Sequence, residues 1–373
     1  MWRVYALFKN VSRRGIIYSA VYAVLFVTVL IIAVVLILSD SSARNKPIVG
    51  CILSGSREET GWNSDNYRGL ADACEDNDTE LHVIENIPEE REPCISAIRR
   101  LASEGCRVIF LTSYGYAEYA AETAADYPNV TFCANSSDFT AENMNYCFAR
   151  MYQGRYLAGI AAGLATKTGV TGYVAAMPNN EVNRGINAFA LGVRSVNPGA
   201  KVLVRFTGSW DEPAGEALAV ELLSSMSADV ITYHQNGDTV PKTCEMLGVN
   251  FIGYHTLSGE YPHMLTAVTC RWRRLYSIML RDSLIGSVEF VDDRWLGLSE
   301  MVILMSRPSG EAESTTVKAV LDAKQRIEKG KDVFSDTIYD NTGVLRCGEG
   351  ETFSDRTLLT GMDWYAEGVG IIE

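Results

Sequence analysis

From residue 48 onward, short β-rich runs ending in turn residues alternate with helical patterns, and this alternation restricts the fold more than any other feature. A first set places strands at 48–53, 81–84, 108–111 and 130–133, with helices at 66–74, 94–103 and 117–126. A second set places helices at 152–165, 182–196, 214–226 and 239–247, with strands at 172–176, 202–206, 230–233 and 251–254. Strands separated by helices in this way specify parallel sheets covered on both faces. Two such sets in 373 residues predict an α/β protein of two doubly wound, Rossmann-like lobes joined by a hinge. The first lobe is expected to take 47–147 and about 270–295, the second 148–268 and about 296–373. Asn341-Thr342-Gly343 is expected to be a turn in a final segment that wraps back near the hinge. The helix at 152–165 carries a small-residue face (Ala158, Gly159, Ala161, Ala162, Gly163) suited to close packing.

Before this alternation lies an uncharged apolar run, 16–38. Crossing a bilayer core takes about 20 apolar residues, and a signal peptide has an apolar region of only about 7–15, so the run reads as one transmembrane helix. Arg3, Lys9, Arg13 and Arg14 precede it and Asp40 follows it closely. The positive-inside rule then predicts a single-pass cell-membrane protein, with 1–15 cytoplasmic, 39–46 a linker and the rest extracytoplasmic. The chain carries −13 and residues 1–46 carry +5, so the remainder carries −18. A module that acidic is a poor partner for nucleic acid.

Nine cysteines are scattered without CxxC spacing and read as small buried hydrophobes, with disulfides unassigned. Ile48-Val49-Gly50-Cys51 imitates a lipoprotein cleavage site, but a polar stretch separates it from the apolar run, and Cys51 sits within a strand pattern. Nothing in the spacing of the four histidines and the cysteines indicates a metal site, and no cofactor motif appears. There is no GxSxG elbow, P-loop, HExxH or GxGxxG, so an enzyme is not expected.

In doubly wound sheets ligands bind beyond the carboxyl ends of the strands. The corresponding segments are 54–66, 112–116, 134–138, 177–181, 207–211, 234–238 and 255–260, which are rich in Trp, Tyr, Asn and Asp. Trp62, in a polar loop beside Asn63, offers a face to a flat ligand, or packs on its own lobe. Trp210 has the equivalent place in the second lobe, with Asp211 as a helix cap. His234 and Asn236 suit the edge of a heterocycle, whereas Gly237 and Asp238 suit a turn and cap. Glu181 faces either a ligand or Arg184 three residues on, and the ion pair is the cheaper reading. Tyr114 and Tyr254 complete the strand-end candidates.

Tyr152-Gln153-Gly154-Arg155-Tyr156-Leu157-Ala158-Gly159, Thr166-Lys167-Thr168-Gly169 and Gly172-Tyr173-Val174-Ala175 together resemble the basic membrane protein family of ABC-transporter substrate-binding proteins. Glu181-Val182-Asn183-Arg184-Gly185-Ile186-Asn187-Ala188-Phe189, Arg194-Ser195-Val196-Asn197-Pro198, Thr232-Tyr233-His234-Gln235, Leu265-Thr266-Ala267-Val268 with Trp272, and Gly361-Met362-Asp363-Trp364-Tyr365 extend the likeness collinearly from about 47 to 373. The resemblance implies a type I periplasmic-binding fold with three crossovers, closing on a purine base or nucleoside and delivering it to an ABC permease. It places Trp62 as the stacking aromatic. Where the family has an acidic residue after Gly-Phe-Asn this chain has Ser64, followed by Asp65. Where the family has Gly-x-Asp this chain has Gly253-Tyr254-His255, which favours a free base. A basic residue of the family falls near Arg271. The alternative of the same fold is a membrane-anchored ligand sensor acting on a partner protein.

Overall fold

Strand β1 (Ile48–Ile52), sequence IVGCI, is buried along nearly its whole length, as a β-branched run must be when helices cover both faces of its sheet. This computed structural model describes residues 13–42, 46–135, 138–255, 261–285, 295–308 and 313–373. Expectations for 1–12, for 43–45 of the linker, and for 136–137, 256–260 and 286–294 lie outside the described residues. The chain divides into two units, Met1–Lys46 and Pro47–Glu373.

In the first unit, helix α1 runs Arg13–Ser42. Its apolar side chains described between 17 and 34 point to solvent all round, Phe26 and Tyr22 among them. The side chains of α1 are described only within 17–34, and among the described residues no helix is long and apolar enough to cross a membrane.

The second unit opens with β1, α2 (Trp62–Asp76), β2 (Glu80–Ile84), α3 (Arg91–Ser103), β3 (Cys106–Leu111), α4 (Tyr116–Thr123), β4 (Thr131–Ala134) and β5 (Met144–Tyr146). Its five strands are all parallel, in the order β2-β1-β3-β4-β5. The chain then builds α5 (Met151–Ala165), β6 (Val170–Ala175), α6 (Asn180–Val196), β7 (Lys201–Phe206), α7 (Pro213–Ser225), β8 (Val230–His234), α8 (Thr239–Leu247), β9 (Asn250–Tyr254) and β10 (Met264–Cys270). Helix α9 (Trp272–Ile285), β11 (Ile303–Met305), α10 (Glu313–Glu328), β12 (Ile338–Tyr339), β13 (Leu345–Cys347), α11 (Asp355–Thr360) and β14 (Val369–Ile372) complete it. The second sheet runs β11-β10-β9-β8-β6-β7-β14, with only β11 antiparallel.

The chain passes between the two sheets three times: at 147–150, at 270–271 before α9 packs on α2, and at 295–302. These passages lie side by side. Ala149 bridges Leu296, Arg150 N donates to Leu296 O at 2.8 Å, and Arg271 N donates to Val302 O at 2.8 Å. The Arg150 guanidinium lies over the Trp295 ring at 4.5 Å and donates to Asp355 at 2.7 Å, which brings the final segment to the hinge. Asp340 and Gly343 form the β12–β13 turn, with Val344 N donating to the Asp340 carboxylate.

The small-residue face of α5 meets α6 closely. A Cβ on Gly159 would stand 2.1 Å from Phe189 O, and one on Gly192 the same distance from Tyr156 O. All nine cysteines are buried and free. Burial pushes the Cys94 thiol up to about 12 and that of Cys51 higher still, so they pack as apolar groups. Cys51, in the second-to-edge strand β1 and wholly inaccessible, has no room for a lipid chain.

Several local expectations are corrected. The helix expected from 66 starts at Trp62, because Gly61 at φ +104 turns the chain there, so Trp62 is a helical residue and not a loop residue. Helix α7 is capped by Glu212, which accepts from Gly215 N, and Asp211 stays exposed one residue too early. Asp238 occupies the cap position of α8 but pairs with Lys242 at 2.8 Å instead of capping.

Candidate functional site

The strand order reverses beside β1 in the first sheet and beside β6 in the second, and residues beyond the carboxyl ends of both sheets line one cleft. From the first lobe come Trp62 after β1, Ser113 and Tyr114 after β3, and Asn135 after β4. From the second come Glu181 after β6, Trp210 after β7, His234 at the end of β8 with Asn236 beyond it, and His255 after β9. Together they line a narrow cavity of about 20 Å3, room for little more than one water. Drug-sized ligands occupy pockets of about 300–1,000 Å3, so the lobes must part further to admit one.

The lobes touch across the cleft. Trp62 N donates to Asn236 O at 3.1 Å, and a Cβ on Gly61 would stand 2.0 Å from the same oxygen. Asp138 accepts from Tyr114 on its own lobe and from Asn180 Nδ2 on the other at 3.4 Å. The clamp is closed.

Trp62 is both wall and buried core. Its Nε1 donates to Thr112 O at 2.8 Å, and its ring packs edge-on against Trp272 and His255, each 5.2 Å between centroids. Its exposure is 9%. Three residues that line the cavity carry polar atoms without protein partners: His234 Nδ1, His255 Nδ1 and Trp210 Nε1 are buried and unbonded, with His234 Nδ1 turned toward Gly185. Buried polar groups are normally satisfied, so such a set marks a wall that the donors and acceptors of a ligand or water complete. Glu181 lies 3.5 Å from His234 Nε2, as does the Tyr254 hydroxyl.

Burial holds both imidazoles below their ordinary pKa. For His234, Glu181 works against that effect and Arg155 adds to it. For His255, the neighbouring His234 and Arg155 depress it further, well below the usual range. Both rings therefore sit in the cleft as neutral groups, each able to donate from one nitrogen and accept at the other. Among the described residues no group of three His, Cys, Asp or Glu side chains could hold a metal.

Of the residues expected from sequence, Trp62, Tyr114, Glu181, Trp210, His234 and Asn236 come together here. Asn63, Tyr254 and Trp272 do not line the cavity. Asn63 is spent within its own loop, donating to Glu59 and accepting from Ser54 Oγ at 3.2 Å. Trp272 stands behind Trp62, stacked on Tyr276 at 5.5 Å. Tyr254 points into the lobe, because successive strand residues face opposite ways and His255 takes the cleft side. Glu181 and Arg184 are not an ion pair: Arg184 turns away, donates to Leu358 O at 2.7 Å and lies over Trp295. Asp65 and Arg271 line an open trough between α2 and α9, away from the cleft.

Sequence reasoning did not select Ser113, Asn135 or His255. All three follow strands whose ends were already marked, so position was the available signal. His255 also has a non-glycine φ of +69, a strained conformation of the kind that gathers at binding sites.

Comparison with known proteins bears directly on this geometry. A purine-binding protein of Brucella abortus is 31% identical over 333 residues, spanning 88% of this chain and 94% of that one. A Haloferax volcanii protein described as an ABC transporter glucose-binding protein is 32% identical over 265 residues, 70% of this chain and 65% of that one. The solved structure of a solute-binding protein of an ABC transporter system from Conexibacter woesei has the same fold, with TM-score 0.61 at 19% identity over 76% of this chain and 97% of that one. Residues 46–334 match the family described as ABC transporter substrate-binding protein, PnrA-like, and the chain belongs to that family of solute receptors, whose work is binding and not catalysis.

Proposed function

We propose that this receptor closes its lobes on a purine base or nucleoside outside the cytoplasm and passes it to an ABC permease, while α1 holds it at the membrane. The carrying observation is the set of lining residues, Trp62 together with His234, His255 and Trp210, whose His234 Nδ1, His255 Nδ1 and Trp210 Nε1 are buried without partners. Flat heterocycles present a π face to an aromatic and alternating donors and acceptors at their edge, which is what this wall lacks. The similarity to a purine-binding protein supports the same ligand class. Directly after β9 stands His255, where the resembled family has a carboxylate, and this favours the free base over the nucleoside.

The bilayer anchor is supported by the 23 uncharged apolar residues of 16–38 and by the outward-facing apolar side chains of α1. At 1.5 Å per residue, such a run reaches about 35 Å, enough for a hydrocarbon core of about 30 Å. Resistance to alkaline carbonate extraction tests the anchor, and release into the supernatant would refute it.

The ligand is tested by thermal shift of the full chain in detergent against adenine, guanine, hypoxanthine, their nucleosides, pyrimidines and glucose. A ligand at 100 times its Kd should stabilise by about 2.7 kcal/mol. A shift with bases but not nucleosides supports the reading in full. A shift with glucose alone would discard the purine and keep the receptor.

A further inference from the structure

Behind the cavity lies a side chain that the binding reading does not use. Arg155, on α5, is 1% exposed, among the most completely buried large side chains of the molecule. Its guanidinium carbon sits 3.7 Å from the centroid of the Tyr254 ring and 5.5 Å from that of Tyr173. Its one hydrogen bond is a long contact of 3.4 Å from Nη1 to Thr232 Oγ1. Nε and Nη2 have no partner, and among the described residues no carboxylate forms a salt bridge with it. Burying a guanidinium without an acid in contact is costly, so a side chain kept there is held for what it does to its surroundings.

Those surroundings are the cleft wall. The Tyr254 ring beneath Arg155 is 3.7 Å from the His255 ring and 5.0 Å from the His234 ring. Gly185 on α6 leaves a gap into which Arg155, His234 and Tyr173 converge: a Cβ there would stand 3.2 Å from Tyr173 Oη, 3.8 Å from His234 Nδ1 and 3.9 Å from Arg155 Cγ. Tyr173 Oη is also without a partner.

We propose that Arg155 is the positioning residue of the ligand cleft: seated over the Tyr254 ring, it fixes the Tyr254–His255 pair and His234 in the arrangement that forms the cleft wall. Its charge acts on the same two rings. The groups facing His234 are Glu181 and Arg184 from α6, Arg155 from α5, and Tyr254 and His255 from the end of β9; His255 is faced by His234 and Arg155. Arg155 is the buried cation common to both, and it opposes a second positive charge on either ring. Glu181, the carboxylate of this set, favours charge on His234 alone. Arg155 thus keeps both imidazoles able to accept as well as donate while the cleft is closed.

The test uses the full chain in detergent with Arg155→Met, which keeps volume without charge, and Arg155→Lys, which keeps charge without the flat guanidinium. NMR of histidine-labelled protein follows the titration of His234 and His255 with no ligand present. The midpoints should rise in Arg155→Met and stay near wild type in Arg155→Lys; unchanged midpoints in Arg155→Met would overturn the electrostatic role. Calorimetry with adenine and guanine from pH 5 to 8 gives the binding arm, which alone rests on the purine reading. Binding should weaken roughly tenfold in Arg155→Met, with its acid limb moved to higher pH, and Arg155→Lys should recover the limb but not the full affinity. Wild-type affinity in both variants would overturn the positioning role. If neither base binds wild type, the purine reading fails and the imidazole titrations still decide the role of Arg155. If Arg155→Met does not fold, Arg155→Lys carries the test: midpoints displaced by more than the scatter of wild type refute it.

Discussion

Gly61→Ala is the sharpest perturbation of closure, because it adds one methyl group where the lobes meet. The new Cβ would stand 2.0 Å from Asn236 O, 3.2 Å from Asn236 C and 3.8 Å from Gly237 Cα. Real Cβ contacts essentially never fall under 3.0 Å, so the cleft must widen there by at least about 1 Å. That separation breaks the 3.1 Å bond from Trp62 N to Asn236 O. Losing such a bond costs about 1 kcal/mol net, and leaving its partners buried and unpaired raises the loss toward 2 kcal/mol or more. The expected outcome is roughly thirtyfold weaker binding. The positive φ of Gly61 adds about 1–3 kcal/mol of backbone strain in the open and closed forms alike, so it lowers the melting temperature without contributing to the affinity change. Calorimetry measures the affinity. Spin labels at the exposed Glu118 and Glu221, one on each lobe, report the angle with no ligand needed, and the nine buried thiols do not compete for label. Binding within twofold of wild type, with an unchanged label distance, would show that Gly61 and Asn236 do not govern closure.

Three further outcomes are expected. Trp62→Ala should weaken purine binding by more than about 1 kcal/mol, and should also destabilise the first lobe by about 3–5 kcal/mol because the ring is packed against Trp272 and Phe148; denaturant melts that match wild type would mean the ring is not core. His234 and His255 are held below their ordinary pKa, so the unfolded chain binds more protons below about pH 6.5; stability should be fully present above that and fall on acidification, by up to about 1.4 kcal/mol per pH unit for each imidazole. Glutamine at both positions should flatten that limb, and an unaltered limb would assign it elsewhere. Glu216 behaves oppositely: burial pushes its carboxyl up to about 7, so its contribution is present below about pH 4.5 and lost as pH rises through 7. Glu216→Gln should therefore stabilise the protein at pH 8 by up to about 3 kcal/mol while leaving pH 4 unchanged, read from chemical denaturation at the two pH values.

The lobes were legible because a parallel strand buried on both faces reads as a continuous apolar run, and Cys106–Leu111 or Val230–His234 fits no other element of that length. The cleft was legible as far as position goes, since every lining residue follows a strand end. What remained hidden was decided by geometry of single residues. Trp62 looked like a loop residue because nothing in the polar stretch before it marks a helix start; a positive φ at Gly61 does that, with no side-chain cap. The choice of Tyr254 over His255 turned on which way the last strand residue points, which strand alternation fixes only once the strand end is known to the residue. Arg155 lay within the helix expected at 152–165 with nothing to single it out, and composition places arginine at the surface. Its burial depends on Tyr254 and Tyr173, which come from two other elements.

The three adjacent passages between the sheets have a mechanical consequence. Two bodies joined by one strand can twist, slide and tilt independently. Joined by three neighbouring strands that are hydrogen-bonded to one another at Ala149–Leu296 and Arg271–Val302, they retain in effect a single degree of freedom, the opening angle. Occupancy of the cleft is thereby converted into one scalar quantity, and a protein resting on both lobes at once could measure it without touching the ligand.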